Sequence, residues 1–315
     1  MKILVTGVAG ALGSHMAEAL VHAGHSVRGV DCLTPYYDIS LKQRTVGDVI
    51  AAGVQFLHTD LRTDDLRPIV ADADVIYHFA AQPGISAHVP FEDYVDNNIH
   101  ATKRLLDAVR DVGTVSLFVH ISTSSVYGAI ASSDETVAPK PTSSYGVTKL
   151  ASEQLALSYH REGGLPVTVL RLFSVYGERE RPEKLYFKFI KSLHTGEQFP
   201  LHEGSEHHVR SYTYVQDIVN GCLLVLAHKE KAIGEIFNLG NDRTITTGEG
   251  LSIVETIVGK KADIVRIPKR SGDQLETAAH IHKARAILGY NPIIRPEEGL
   301  ARQVAWYRDN IFGKL

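Results

Sequence analysis

Cysteine is scarce in this chain: Cys32 and Cys222 are the two in 315 residues. Two are too few for a disulfide framework, and their separation rules out zinc-ligand spacing, so both read as buried apolar residues in a reducing compartment. Long hydrophobic runs are missing as well. None approaches the roughly 20 residues that cross a bilayer, so no membrane partner is expected. Lys and Arg form no runs and the formal net charge is −3, which removes the electrostatic footprint of a nucleic-acid partner. The first strand-like run begins at Lys2, so no signal or transit peptide is expected. These absences lead to a cytoplasmic protein that handles a small molecule.

What is present is core material. A 44% hydrophobic content suffices for one large domain and a smaller one. Short β-branched runs alternate with helical patterns: KILVT, then Leu12 to His22; SVRGV; VQFLH; DVIYHF, then Tyr94 to Val112; SLFVHIS, then Tyr145 to Arg161; and PVTVLRLF. This alternation predicts a doubly wound parallel (Rossmann) α/β sheet. Because the strands are almost wholly apolar, helices should cover both faces. After Phe173 the rhythm breaks into the charged loop SVYGERERPEK, followed by helical segments at Leu185 to His194, Thr247 to Val258 and Pro296 to Arg308 around DIVRI. Residues 1–172 are expected to form the nucleotide-binding domain, with about 212–239, ending in the strand EIFNL, returning to it. Residues 173–315 should form most of a smaller C-terminal α/β substrate domain.

Two stretches carry chemistry. In TGVAGALG, Gly7, Gly10 and Gly13 lie at the first strand-to-helix junction. Glycine there allows a tight turn and close approach of a pyrophosphate, whose charge meets the N–H groups of a helix N-terminus. Asp31 ends the second strand, where its carboxylate can accept hydrogen bonds from an adenosine ribose and repels a 2′-phosphate, favouring NAD over NADP. The second stretch begins with TSSVYG, in which Thr123, Ser124 and Ser125 follow an apolar strand; alone, such a row is ordinary turn chemistry. Twenty-two positions later, SYGVTK supplies Tyr145 and Lys149, four apart on one helix face. A nearby ammonium lowers a phenol's pKa toward the range of a general base.

TGVAGALG, HFAAQ, TSSVYG, YGVTK and RLFSVYG together resemble the extended short-chain dehydrogenase/reductase family over nearly the whole chain. SYGVTKLASEQLAL and VYGERERPEKLYFKFI are similar, more narrowly, to its nucleotide-sugar epimerases, especially those acting at C4 of UDP-glucuronate. The resemblance implies bound NAD, with Tyr145 as base, Lys149 as its electrostatic partner and ribose anchor, and Thr123 as proton relay. It adds Ala11, Leu12, Asp60, Leu61, Ala80, Ala81, Gln82, Asn98, Ser122 and Phe173 to the cofactor site. A UDP-sugar partner would be held by Ser124, Ser125, Ser174, Arg181, Lys188, Arg210 and Asp273. It also implies a homodimer, through helices from about Asn98 to Val112 and Ser144 to Arg161.

Within the family, dehydratases place Asp and Glu after the threonine, and UDP-xylose-forming decarboxylases carry Glu where Ser125 stands. Neither carboxylate is present here, so elimination and decarboxylation are disfavoured and return of the hydride remains. Three departures leave the sugar open: Ser86 replaces an arginine in PGIS, Arg210-Ser211-Tyr212-Thr213 replaces R-D-F-T, and Gly204-Ser205-Glu206 replaces G-D-G. His88 is one group that could compensate. UDP-glucose/galactose and UDP-N-acetylhexosamines are the alternative substrates; a non-catalytic NAD-sensing module would lack the Tyr145/Lys149 pair. His202, Glu203, Glu206, His207 and His208 gather without a metal-ligand spacing and read as a solvated loop, so no metal is expected. HIH at 280–282 reads as a helix start.

Overall fold

The computed structural model describes residues 1–86, 88–269 and 275–314. Seven strands build the main sheet: β1 (Lys2–Thr6), β2 (Ser26–Asp31), β3 (Gln55–His58), β4 (Val75–His78), β5 (Leu117–Thr123), β6 (Val167–Leu172) and β7 (Ile236–Leu239). Their spatial order is β7-β6-β5-β4-β1-β2-β3 and every pairing is parallel. Chain direction across the sheet reverses beside β1, so the carboxyl ends of β1 and β4 flank a crevice where such sheets hold ligands.

Alternation along the strands sends side chains to two cores. Ile3, Val5, Val75, Tyr77, Val119 and Leu170 pack on one face against Met16 and Leu20 of the Ala11–His22 helix and Ile218 and Cys222 of Val215–Ala227. Leu4, Ile76, Phe118, Val167 and Val169 pack on the other, against Leu105 and Val109 of Ala101–Val112 and Leu157 of Ser144–Gly163. Both faces are covered, which is why the strands read as continuous apolar runs. Two helices that periodicity does not reveal are Ile39–Ala51 and Val215–Ala227; the latter's exposed polar stripe is a narrow one, Gln216 and Asn220 bonded to each other at 3.1 Å. The helix at His282–Leu288 does open at the HIH segment.

Between β6 and β7 the chain leaves the sheet. There, and after β7, it forms a third core of Tyr176, Tyr186, Phe187, Phe189, Phe199, Tyr214, Leu251 and Leu300. DIVRI contributes Ile264–Ile267, paired in parallel with Phe199–His202 rather than with the main sheet. A small four-stranded sheet joins Ile245–Thr246, Val209–Arg210, Glu276–Thr277 and Ile130–Ala131.

Tyr176 is a poorly matched group of the third core. Tyr176 stacks edge-on against Tyr186, Tyr212 and Tyr214 at centroid distances of 5.6, 6.3 and 5.8 Å. Its hydroxyl is buried with no hydrogen-bond partner among the described residues, facing the backbone of Gly299. A buried donor without an acceptor opposes folding, so Tyr176→Phe should raise unfolding stability by about 1 kcal/mol. Urea denaturation checks this, and a loss of stability would contradict it.

Candidate active site

The crevice beside β1 is shaped by backbone. Gly7 takes φ +71°, and a Cβ there would lie 2.7 Å from the Ala80 nitrogen at the end of β4. A Cβ at Gly13 would meet the Gly7 carbonyl oxygen at 2.2 Å, so only glycine lets the Ala11–His22 helix start this close to the loop. Gly10 is its N-cap, and Ala11 and Leu12 form its first turn. The Asp31 carboxylate accepts from the Ala9 N–H at 3.1 Å and the Leu33 N–H at 2.8 Å. It is thereby fixed at the lip of the glycine turn. Asp60 accepts from the Arg62 guanidinium at 2.8 Å, which holds its carboxyl below the usual range. The neighbouring Leu61 carbonyl takes Arg104 at 2.6 Å.

On the other side of the crevice, the Ala80 N–H donates to Thr6 Oγ1 at 3.2 Å, and Ala81 follows it. The Gln82 N–H donates to Asn98 Oδ1 at 2.8 Å. Asn98 lies in a π-helical turn, Val95–His100, a widened geometry that recurs at functional sites. Its amide also donates to Thr148 Oγ1 at 3.0 Å, beside Lys149. Phe173 is buried, its Cβ 2.8 Å from where a Cβ on Gly240 would stand. A side-chain-free turn at a helix N-terminus with a fixed carboxylate at its lip fits NAD: Gly7, Gly10 and Gly13 would admit the pyrophosphate and Asp31 would take the adenosine ribose.

At the end of β5, Thr123 Oγ1 accepts from the Ser125 N–H at 3.1 Å and caps the one-turn helix Ser124–Tyr127. Ser143 caps the Ser144–Gly163 helix, accepting from Gly146 N–H at 3.1 Å. A Cβ on Gly146 would lie 2.6 Å from the Ser125 carbonyl oxygen, so this glycine lets the helix touch the hydroxyl turn. That contact brings the Tyr145 phenol to the Thr123 hydroxyl, which acts to lower it. The Tyr145 ring packs 6.3 Å from Tyr94.

The electrostatics differ from the expected Lys–Tyr coupling. Burial pushes the Tyr145 phenol above its ordinary range, and the opposing influences are Arg181 and the Thr123 hydroxyl. Lys149 is 3% exposed; burial lowers its ammonium to about 8, against the pull of Glu153. Burial depresses His78 and His120 beneath the cleft, and the Lys149 charge adds to it. The helix spacing puts Lys149 and Tyr145 on one face, and the cation that lowers the phenol is Arg181.

The sugar-side candidates surround this pair unevenly. Ser124 and Ser125 are buried at the turn. Ser174, at φ 26°, shares a 3.3 Å hydrogen bond with Thr277. Arg181 lies 3.2 Å from Glu183 and 6.0 Å over the Tyr36 ring, and a Cβ on Gly84 would lie 3.4 Å from its Nη2. It therefore reaches the PGIS loop, two residues from Ser86. Arg210 donates to the carbonyls of Val209 and Leu275 at 3.0 and 3.2 Å within the small sheet. Ile130–Ala131 of that sheet begins just beyond the hydroxyl turn, so Arg210 and the turn share one framework. Lys188 is exposed on the Leu185–Thr195 helix, and Asp273 lies outside the described residues.

Sequence reasoning passed over Tyr36, Thr277, Glu153 and Arg171. Glu153 had a signal: it stands four residues after Lys149, as Lys149 does after Tyr145. Arg171 had one too, as a cation inside an apolar strand. Among the described residues, no three His, Cys, Asp or Glu side chains come together as a metal site, and no helix is long and apolar enough to cross a membrane. The His202 ring instead bonds the Pro268 carbonyl at 2.6 Å.

Known proteins share this arrangement. An uncharacterised UDP-glucose epimerase of Bacillus subtilis is 36% identical over 97% of this chain and 98% of its own length. A UDP-glucuronate 4-epimerase of Thermodesulfobacterium geofontis is 34% identical over 98% of this chain and 96% of its own. The crystal structure of UDP-glucuronic acid 4-epimerase from Bacillus cereus, in complex with UDP-glucuronic acid and NAD, superposes with a TM-score of 0.94. It is 35% identical over 98% of this chain and 99% of that one. Residues 3–240, from the first strand through the glycine turn, the hydroxyl turn and the Tyr/Lys helix to the end of β7, match a single family description. On sequence, fold and the placement of its nucleotide crevice, the chain belongs to the NAD dependent epimerase/dehydratase family.

Proposed function

We propose that this protein is an NAD-dependent UDP-sugar 4-epimerase and that its substrate is UDP-glucuronate, converted to UDP-galacturonate. The observation that carries this reading is the approach of the Tyr145 phenol to the Thr123 hydroxyl under the charge of Arg181, on a turn whose next two residues are serines rather than carboxylates. NAD, when bound, supplies the acceptor and then the donor of a hydride at sugar C4. Tyr145, through Thr123, takes the proton of the 4-hydroxyl as the ketone forms and returns it after the ring presents its other face. The ketone of a glucuronate is a β-keto acid that loses carbon dioxide readily. Ser124, Ser125, Ser174 and Arg181 hold its carboxylate out of alignment with the carbonyl by charge-assisted hydrogen bonds. Arg210 takes the diphosphate.

A second reading keeps the chemistry and changes the sugar to UDP-glucose. It is favoured by Ser86 where an arginine was expected and by the name of the Bacillus subtilis relative. Incubating the protein separately with UDP-glucuronate, UDP-glucose and UDP-N-acetylglucosamine, with C4 stereochemistry and carbon dioxide followed by NMR, separates these outcomes. Pentose formation would make it a decarboxylase and a 4-keto-6-deoxy product a dehydratase. A cytoplasmic homodimer completes the reading. Supporting it are the two free thiols for the compartment and, for the dimer, the family resemblance of the helices from about Asn98 to Val112 and Ser144 to Arg161. Sedimentation as a monomer would exclude the dimer.

A further inference from the structure

Beneath the cleft lies an ion pair that the proposed chemistry does not use. Glu153 and Arg171 are 0% and 1% exposed. Arg171 donates from Nη2 to Glu153 Oε1 at 2.5 Å and from Nε to Oε2 at 3.0 Å. Glu153 Oε2 also accepts from Ser122 Oγ at 2.7 Å, one residue before Thr123. Arg171 Nη1 donates to the Tyr127 hydroxyl at 2.8 Å, at the end of the hydroxyl turn, and Tyr127 passes its own proton to Asn238 Oδ1 at 2.9 Å.

A buried pair of this kind gives little net stability over apolar side chains of the same volume, so stability does not account for it. Its contacts do. One carboxylate and one guanidinium tie together the helix carrying Tyr145 and Lys149, the strand end carrying Thr123, and the turn carrying Ser124 and Ser125. Glu153 also stands one helical turn beyond Lys149, on the same face. The groups that face the Lys149 ammonium from the sheet are His78 of β4 and His120 of β5, both neutral: burial takes His78 down to about 3 and His120 well below its usual value. Arg171 of β6 is engaged with Glu153. Glu153 is the one described group whose charge holds the proton on Lys149.

We propose that the Glu153–Arg171 pair is a positioning device of the active centre: it sets the Tyr145–Lys149 helix in register with the Thr123–Tyr127 turn, and its carboxylate keeps the Lys149 ammonium charged. The second role has a purpose in the epimerase reading, on which the activity test below rests. Lys149 must stay cationic next to an oxidised nicotinamide, whose own positive charge works against it.

The test is a ¹⁵N NMR titration of the Lys149 amine in the NAD-loaded protein, in the wild type, Glu153→Gln and the double variant Glu153→Leu/Arg171→Met. Both variants should lower the Lys149 midpoint by at least about one pH unit, a tenfold change in the protonation equilibrium. The pH at which kcat stops climbing should move down in parallel, with KM for the UDP-sugar changed less than kcat. The double variant leaves no unpaired buried charge, so it should melt close to the wild type while keeping the shifted midpoint. A double variant with wild-type stability, an unmoved Lys149 midpoint and wild-type kcat would overturn the proposal and leave the pair a packing element. Wild-type protein that turns over none of the UDP-sugars would overturn the epimerase reading instead, and the Lys149 titration would still decide this one.

Discussion

A Tyr145→Phe enzyme should keep its NAD and bind UDP-glucuronate, yet lose turnover by about a thousandfold, the scale of a positioned acid–base group. The ring has its own packing, against Tyr94 at 6.3 Å, so removing one oxygen leaves the cleft wall in place. What disappears is the hydroxyl facing Thr123, and with it the proposed proton acceptor for the 4-hydroxyl. Dinucleotide released on denaturation and calorimetric titration with the UDP-sugar measure the two binding steps; progress curves measure the chemical one. Retention of a tenth of the wild-type rate would show that another group takes the proton. The pH dependence follows from the same site. In the free protein burial holds the phenol above its ordinary range, so its basic form is the scarce one and activity should climb with pH on the acid side. Lys149 sets the other side: with its ammonium at about 8, the cation is fully present below that pH and is lost as pH rises through it. Activity should therefore stop climbing at about pH 8, where loss of the ammonium cancels the gain in phenolate, and fall only above the phenol's own raised value.

The parts of this molecule that were legible in the sequence are those in which one residue type answers one local demand. Gly7 and Gly13 could be nothing else where a Cβ would meet backbone within 2.7 and 2.2 Å, and wholly apolar strands announce a sheet covered on both faces. The Tyr145–Thr123 meeting was foreseeable because a strand end and a helix start were each marked by hydroxyl caps. Charge at a distance was not. The spacing of Tyr145 and Lys149 gives a shared helix face but not the direction of two long side chains, and the cation that acts on the phenol comes instead from Arg181, thirty-six residues further along. The Val215–Ala227 helix escaped for the opposite reason: packed against the sheet, it keeps a narrow polar edge, Gln216 and Asn220, too short to show a period. Glu153 and Arg171 each carried a local signal, a repeated four-residue spacing and a cation in an apolar strand, but nothing local reveals that Ser122 and Tyr127 converge on them.

Arg181 is where substrate choice should be decided, and its removal should separate two effects that the geometry superimposes. The guanidinium lies beside Gly84 and Tyr36, with Nη1 buried and without a hydrogen bond in the described cleft; it is placed to receive a carboxylate where Ser86 offers no charge. It also pulls the Tyr145 phenol down, which helps any sugar alike. In an Arg181→Ala enzyme the second effect should slow UDP-glucuronate and UDP-glucose equally. The first should fall on the acidic sugar alone, because a charge-assisted hydrogen bond contributes about 1.5–3 kcal/mol, or roughly 10- to 150-fold in kcat/KM. Arg181→Lys keeps a charge without the planar fork and should fall between the two. If the wild type does not turn over UDP-glucose, the comparison moves to binding: Kd for UDP-glucuronate should rise by the same factor while Kd for UDP-glucose and the NAD content hold. Equal losses for both sugars would confine Arg181 to the phenol, and the carboxylate would then have to be held by the hydroxyls of Ser124, Ser125 and Ser174.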